Sequence, residues 1–270
     1  MTKNDIDFGA LPDAPGIYFF MQGNDVLYVG KATSLRSRVR SYFDPDLVEK
    51  RSPLVAKAVH DATTVRVEET DSVLEALLLE AQKIKQLKPV GNTDAKDDKS
   101  FNYVIITDED IPRVLLFRGR ELSTAIEPKL VKYMFGPFTQ GGALKEAMKI
   151  IRRIFPYFDT KFPIGSRYTP AQEKTLRFNQ SIGVYPSESE KNIYKRNIRH
   201  IVLLFEGKKK ALIKSLEVEM RKAIKHEEFE DADILKRQLF ALNHIQDIAL
   251  IKDEFRTPRS TEYRIEAYDI

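Results

Sequence analysis

Cysteine is absent from the 270 residues, and so is tryptophan. Without a thiol there is no disulfide, thiolate zinc site, cysteine nucleophile or cysteine-held iron–sulfur cluster, a pattern that fits a reducing compartment. There are four histidines (His60, His200, His226 and His244), and none pairs with another at metal-ligand spacing beside a carboxylate. Long apolar runs are missing too: Ile201–Phe205 falls far short of a membrane span. Residues 1–16 contain no apolar signal core. There is no phosphate-cradling P-loop and no dinucleotide fingerprint, so nucleotide hydrolysis belongs to other proteins. No internal repeat or long low-complexity tract occurs. These absences set the expectation of a soluble, cytoplasmic protein with no membrane partner.

The chain has 42% hydrophobic and 31% charged residues, enough for a true core and a well-solvated surface. At about 150 residues per domain, this length predicts two modest units. Gly16–Met21 and Val26–Gly30 are short strand-like runs separated by Gln22-Gly23-Asn24-Asp25, a hairpin signal. Thr33-Ser34 can cap a helix with Leu35, Val39, Tyr42 and Phe43 on one side. Val65–Glu69 reads as a third strand, and Ser72-x-x-Glu75 opens a helix that Pro89 ends. A polar run, Gly91–Ser100, marks a boundary. Strand signals follow at Tyr103–Thr107 and Val114–Phe117, then a turn at Phe135-Gly136-Pro137-Phe138 and a helix from about Gly142. From Pro156 to Glu190 the periodicity is weak, which predicts an irregular linker.

The last third is helical. Lys191–Phe205 carries Ile193, Ile201, Val202 and Phe205. Leu212, Leu216, Met220, Ala223 and Ile224 form one stripe; Phe229, Ala232, Leu235, Leu239, Leu242 and Ile245 form another. With the short break His226-Glu227-Glu228 between them, these predict an antiparallel helical hairpin. Its stripes face either a partner protein or the chain's own body.

The net charge is only +4, but it is unevenly spread. Lys191–Lys225 holds eleven Lys/Arg against three acids, whereas His226–Asp247 holds six acids against two bases. Across Asp25–Phe43 the only acid is Asp25, while Lys31, Arg36, Arg38 and Arg40 lie among Tyr28, Tyr42 and Phe43. Cations interleaved with aromatics suit contact with phosphate and base together.

On the helix Val73–Leu87, Glu80 falls on the side of Val73, Leu77, Ile84 and Leu87. A carboxylate there needs an ion pair, a hydrogen bond or a cation. Taken with its surroundings it forms a pattern: Gly16-Ile17-Tyr18, then Tyr28-Val29-Gly30, then Lys31, Arg38, Glu80 and Asn92. The ordered set resembles the GIY-YIG nucleases. The runs Tyr28–Ala32 and Leu35–Tyr42, Leu79-Glu80-Ala81, Asp97–Phe101, Phe135–Phe138 and the helical pair containing Phe229-Glu230-x-Ala232 resemble, more narrowly, the N-terminal half of the UvrC family of bacterial excision-repair nucleases.

That resemblance implies an α+β protein. It has a small mixed α/β GIY-YIG domain with a central sheet (1–100), a linker subdomain (101–190), a region with a UVR-like hairpin (191–250) and a tail (251–270). The tail resembles the opening strand of an RNase H-like nuclease. It implies metal-dependent incision on the 3′ side of a lesion in double-stranded DNA, within the DNA-damage (SOS) response. Glu80 would hold one Mg²⁺ or Mn²⁺, a cation that keeps mostly water and phosphate ligands. Tyr28 would be the general base and Arg38 the phosphate contact. Tyr18 and Tyr42 would supply hydroxyls that orient phosphate or water, Lys31 would assist, and Asn92 would orient the loop after the Glu80 helix. Lys31, Arg36 and Arg40 would hold the DNA backbone. Met220, Phe229, Ala232, Leu235 and Leu239 would dock a UvrB-like helicase, with UvrA reached indirectly.

Three departures stand out. Most of the family has four cysteines that hold an iron–sulfur cluster; Phe155–Glu190 has none, and Tyr185 stands within Ile182-Gly183-Val184-Tyr185-Pro186, so no such cluster is expected. Asp269 matches a first carboxylate of the second nuclease, and one carboxylate cannot assemble that second site. Gly91 replaces the usual aromatic before Asn92. A non-catalytic adaptor or fragment that only binds DNA and UvrB is the alternative reading; a stand-alone GIY-YIG nuclease fits less well, because such enzymes lack the hairpin.

Overall fold

Two residues, Gly23 and Asn24, turn strand β1 (Gly16–Gln22) back into β2 (Asp25–Ala32), and Gly23 takes the positive φ of 59° that such a tight turn requires. A computed structural model describes residues 1–2, 5–44, 52–92, 101–186 and 191–245. The expected motif residues Asp97–Ser100 and the expected tail 251–270 lie outside these. Strand β3 (Thr64–Glu69) pairs with the other side of β1, giving an antiparallel sheet in the order β2-β1-β3.

The pleat divides this sheet's side chains between two faces. Tyr18 and Phe20 pack with Leu35, Val39, Val55 and Val59 on one face. Ile17, Phe19 and Val29 pack with Ala76 and Ile84 on the other. Helix α1 (Leu35–Arg40) starts at Ser34, whose Oγ accepts from the Ser37 N–H. It stops sooner than expected, and Tyr42 and Phe43 belong to a separate 3₁₀ turn, Ser41–Phe43. Helix α2 (Pro53–Asp61) adds to the expected elements; Ser52 caps it and Pro53 occupies its first turn.

Helix α3 spans Val73–Leu87 as expected, capped by Ser72 and closed by Lys88 in the left-handed conformation just before Pro89. It is apolar nearly all round because it is covered on two sides. Ala76 and Ile84 meet the first sheet; Leu74, Leu77, Leu78 and Ala81 meet the second.

That second sheet consists of β4 (Asn102–Thr107), β5 (Val114–Arg118) and β6 (Val131–Phe138), antiparallel in the order β5-β4-β6. The turn expected at Phe135–Phe138 is instead the end of β6, with a cis Gly136–Pro137 bond. An edge strand tolerates proline because half of its N–H groups need no partner strand. Helix α4 (Gly141–Ile154) follows. The stretch expected to be irregular contains helix α5 (Pro170–Ser181), opened by a Thr169/Gln172 capping box. Its only buried residue is Leu176, so it has no apolar stripe to announce it.

The cysteine-free region is packed rather than open. Phe155, Tyr157 and Phe158 are buried, and Phe158 packs against Tyr185 and Tyr194. Asp159 accepts from Tyr185 at 2.6 Å and pairs with Arg152 at 2.5 Å, while the Arg152 guanidinium lies 4.2 Å from the Tyr157 ring centre.

Helices α6 (Lys191–Phe205), α7 (Lys209–Lys225) and α8 (Phe229–Asn243) complete the described chain, with α7 and α8 forming the expected antiparallel pair. The principal core draws side chains from Val73 through Leu242, so it crosses the boundaries expected near residues 100 and 190. Among the described residues no helix is long and apolar enough to cross a membrane.

Candidate active site

The strand register explains the first two glycines of the motif. Gly30 lies opposite Tyr18, and a Cβ at Gly30 would sit 2.2 Å from the Tyr18 hydroxyl. A Cβ at Gly16 would sit 2.4 Å from the Glu68 carbonyl. The absence of these side chains lets the Tyr18 ring lie across β2 and brings β3 close. Tyr28 lies opposite Phe20, on the Tyr18 face. Tyr42 enters this face from the 3₁₀ turn after α1. The Tyr18 and Tyr42 hydroxyls are 2.7 Å apart, and the Tyr42 hydroxyl donates to Tyr28 at 3.5 Å. Arg38, one helical turn earlier, hydrogen-bonds to Tyr18 and sits 5.7 Å from the Tyr42 ring centre.

Glu80 reaches this site because β2 is an edge strand. Its outward backbone groups have no neighbouring strand and must find other partners. Asn92 satisfies two of them: its Oδ1 accepts from the Val29 N–H at 2.8 Å, and its Nδ2 donates to the Val29 carbonyl at 2.8 Å. Glu80 satisfies a third, its Oε1 accepting from the Lys31 N–H at 3.0 Å. The 3₁₀ turn Val90–Asn92 can approach because residue 91 is glycine; a Cβ there would meet the Leu27 carbonyl at 2.8 Å and the Tyr28 Cβ at 3.2 Å. An aromatic at 91 does not fit this packing. Two polar side chains therefore cap the strand on either side of Gly30 and bring a carboxylate to the strand that bears Tyr28.

Burial pushes the Tyr28 phenol well above its usual range, and Tyr42, Tyr18 and Glu80 add to the effect. Burial does the same to Tyr18, with Tyr42 adding and Arg38 opposing. Burial works against the Arg38 charge, but Tyr18 and Tyr42 more than offset it and its pKa stands above the ordinary guanidinium value. The chain alone thus keeps these phenols neutral beside a fixed cation.

Glu80 is only 4% exposed, and a buried carboxylate needs strong compensation. No group of three or more His, Asp or Glu residues capable of metal binding occurs among the described residues. A single carboxylate within electrostatic reach of the Tyr28 phenol fits a hard cation that keeps most of its water, such as Mg²⁺ or Mn²⁺. It does not fit a zinc site, which needs three or four protein ligands.

The structure places the expected site residues as follows. Tyr18 and Tyr42 are fully buried, with their hydroxyls facing each other and, for Tyr42, Tyr28. Tyr28 and Arg38 are half-buried and remain reachable. Lys31 is 3% exposed, which leaves it little surface for DNA, and its backbone N–H holds Glu80. Arg36 is exposed, and part of its guanidinium fastens the N-terminal segment: its Nε donates to the Leu11 carbonyl at 2.9 Å and its Nη2 to the Gly9 carbonyl at 3.5 Å. Arg40 is exposed, as a backbone contact requires. Asn92 acts on strand β2 itself, beyond the loop it was expected to orient.

The hairpin residues divide in the same way. Ala232 and Leu235 are buried in the chain's own core and cannot meet a partner without opening it. Met220 and Leu239 are half-buried against the same core. Phe229 is 65% exposed, and Ile224 and Phe240, absent from the expected set, are exposed as well. Also unanticipated is a polar network behind the hairpin. Arg196 reaches Asp231 at 2.5 Å and Glu219 at 3.5 Å, and His200 lies 3.4 Å from Glu219. The opposite local charges of residues 191–225 and 226–247 were the available signal for it.

Comparison with known proteins assigns residues 14–93 to the UvrC-like GIY-YIG domain and residues 210–245 to the UvrB/UvrC motif. The UvrABC system protein C of Moorella thermoacetica is 34% identical over 238 residues, covering 87% of this chain and 37% of that protein. The protein of the same name from Chlorobium luteolum is 36% identical over 244 residues, covering 88% of this chain and 37% of that one. This chain thus spans under two-fifths of the length of these relatives. The solved GIY-YIG N-terminal endonuclease domain of UvrC from Thermotoga maritima, bound to magnesium as its catalytic divalent cation, is 31% identical. That match covers 34% of this chain and all of the solved domain, with a TM-score of 0.30.

Proposed function

This chain belongs to the UvrC family, with its UvrC-like GIY-YIG domain at residues 14–93 and its UvrB/UvrC motif at residues 210–245, and from that premise we propose that it is a DNA endonuclease subunit making the 3′-side incision at damaged duplex DNA. The observation that carries this reading is the Glu80 carboxylate held on the edge of strand β2, next to Tyr28 and on the same site as Arg38. Glu80 would hold one divalent cation, Mg²⁺ or Mn²⁺, which when bound supplies water and positive charge beside the scissile phosphate.

The remaining work falls to the chain's own side chains. Tyr28 Oη accepts the proton of the attacking water, and Tyr42, which donates to it, fixes its direction. A neutral phenol is a poor base, so the reaction requires positive charge close to Tyr28 to bring its pKa down. The Arg38 fork contacts the non-bridging phosphate oxygens, where a planar set of donors suits a phosphate better than lysine does. Tyr18 and Tyr42 hold Arg38 and Tyr28 in register, and Asn92 and the Lys31 N–H hold β2 and Glu80. Phe229, with Met220 and Leu239 at the rim, meets the UvrB-like helicase that loads the nuclease, with UvrA acting before it.

Single-turnover nicking of a lesion-bearing duplex, loaded by UvrA- and UvrB-like partners, tests the assignment. Glu80→Gln should abolish nicking while DNA binding persists, and Arg38→Ala should lower the rate about 10²–10³-fold, the usual loss for one transition-state donor. A folded Glu80→Gln protein that nicks at the parental rate overturns the catalytic reading and leaves the adaptor reading in its place.

A further inference from the structure

A cleft of about 1340 Å³ opens between α4, β5 and the segment around Lys161, and none of Tyr28, Arg38 and Glu80 lines it. The helical repeat builds its wall. Lys145, Lys149, Arg152 and Arg153 recur at three- and four-residue intervals on one side of α4, while Ala143, Leu144, Ala147 and Ile151 face the core. At 1.5 Å per residue the cations span about 12 Å, and Lys161 joins them from the following segment.

The acids lining the cleft are already engaged. Glu127 pairs with Lys129 at 2.8 Å, Asp159 pairs with Arg152 at 2.5 Å, and Glu121 accepts from the Arg118 N–H at 3.3 Å. Lys149 shares Glu146, but Lys145, Arg153 and Lys161 have no ion-pair partner among the described residues. Lys145, Lys149, Arg153 and Lys161 are all exposed. A single small anion needs cations that converge; these are strung out along a helix, and the same cleft has apolar lining that includes Leu116 and Val184. Such a row suits an extended polyanion whose charges alternate with apolar sugar. Of the aromatics in the lining, Tyr157 is buried and Phe117 half-buried, so the exposed contacts are chiefly cationic; contacts to the backbone carry no sequence information.

We propose that this cleft seats the sugar–phosphate backbone of the DNA substrate through Lys145, Lys149, Arg153 and Lys161, outside the catalytic site. The proposal rests on the reading of the chain as a DNA endonuclease. It supplies backbone contact that burial denies to Lys31, and adds to what the exposed Arg36 and Arg40 can offer.

The test is fluorescence anisotropy of the full chain with labelled single-stranded and duplex oligonucleotides, titrated across a range of salt. The Lys145→Gln/Lys149→Gln/Arg153→Gln/Lys161→Gln variant should bind at least about tenfold more weakly. Its plot of log affinity against log salt should flatten by about 0.9 for each phosphate that is no longer neutralised on duplex DNA, or about 0.7 on single strands. The arm that changes more identifies the form of DNA seated. Nicking at saturating DNA should stay at the parental rate. Parental affinity and salt slope on both DNAs, in a variant with an unchanged melting curve, overturn the proposal. So does a defect that appears only when the partner proteins are present, because an acidic protein would then occupy the cleft. Glu80→Gln should bind DNA normally, so a failure of the catalytic reading shows in nicking and a failure of the cleft shows in binding.

Discussion

A glycine in a nuclease motif invites a catalytic explanation, but Gly30 has a steric one. Its missing side chain is the space that the Tyr18 ring occupies, and Tyr18 in turn orders Tyr42, Arg38 and Tyr28. Gly30→Ala should therefore cost about 1–3 kcal/mol, as overpacking generally does, and lower nicking with it. Urea unfolding reads the first effect and single-turnover kinetics the second; an unchanged unfolding midpoint contradicts the steric account. Asn92 is similar in kind. Asn92→Ala leaves the Val29 N–H and carbonyl without their partners, a loss of about 1–3 kcal/mol, and should reduce nicking without abolishing it. Complete loss of nicking in a fully stable Asn92→Ala protein would give Asn92 a direct chemical role instead.

Helix α3 does the most of any single element. One side lays Glu80 along β2; its first turn binds Lys209 through Glu75 at 2.7 Å, and Gln82 donates to the Phe205 carbonyl at 2.7 Å. The start of the α7–α8 hairpin thus rests on the helix that holds the candidate metal ligand. Within the hairpin, the exposed and buried positions of one stripe should behave differently. Phe229→Asp should weaken capture by a UvrB C-terminal helix while leaving the melting temperature unchanged. Leu235→Ala should instead lower stability by about 2–5 kcal/mol, because it opens a cavity in the chain's own core. Equal loss of stability in both variants would mean that Phe229 is a structural residue.

Across the whole molecule, the polar network of Arg196, His200, Glu219 and Asp231 fastens the hairpin to the body. Arg196 is largely buried between two carboxylates, and Arg196→Ala should cost about 3 kcal/mol because it strands them. Burial lowers the His200 pKa below its ordinary 6.5, with Arg196 and Arg199 adding to the effect and Glu219 opposing it. A base with a depressed folded pKa takes up more protons when unfolded, so stability rises with pH in this window and falls as pH drops below about 6.5. Melting temperatures from pH 7 to pH 5 should show that decline, and His200→Gln should reduce it; an identical decline in both proteins assigns it to other groups.

The local elements were legible because their signals are short-range. The Gly23-Asn24 turn, the Ser34 and Ser72 caps and the run from Val73 to Leu87 each depend on neighbours in sequence, and each stands where the sequence predicts it. The ordered set Tyr18, Tyr28, Arg38, Glu80 and Asn92 pointed to one site for a different reason: a motif records which residue types occur at which spacing, even across long separations. Helix α5 was not legible, because a helix with one buried residue leaves no apolar period, and the end of β6 at Phe135–Phe138 was hidden behind a Gly-Pro pair that usually marks a turn. Only the tertiary structure decided which side chains are available. Burial of Lys31, the hydrogen bond from Arg36 to the Leu11 carbonyl, and commitment of Leu235 to the chain's own core all depend on residues distant in sequence. Periodicity places a side chain on a face of its own element, whereas solvent access is set by whatever packs against that face.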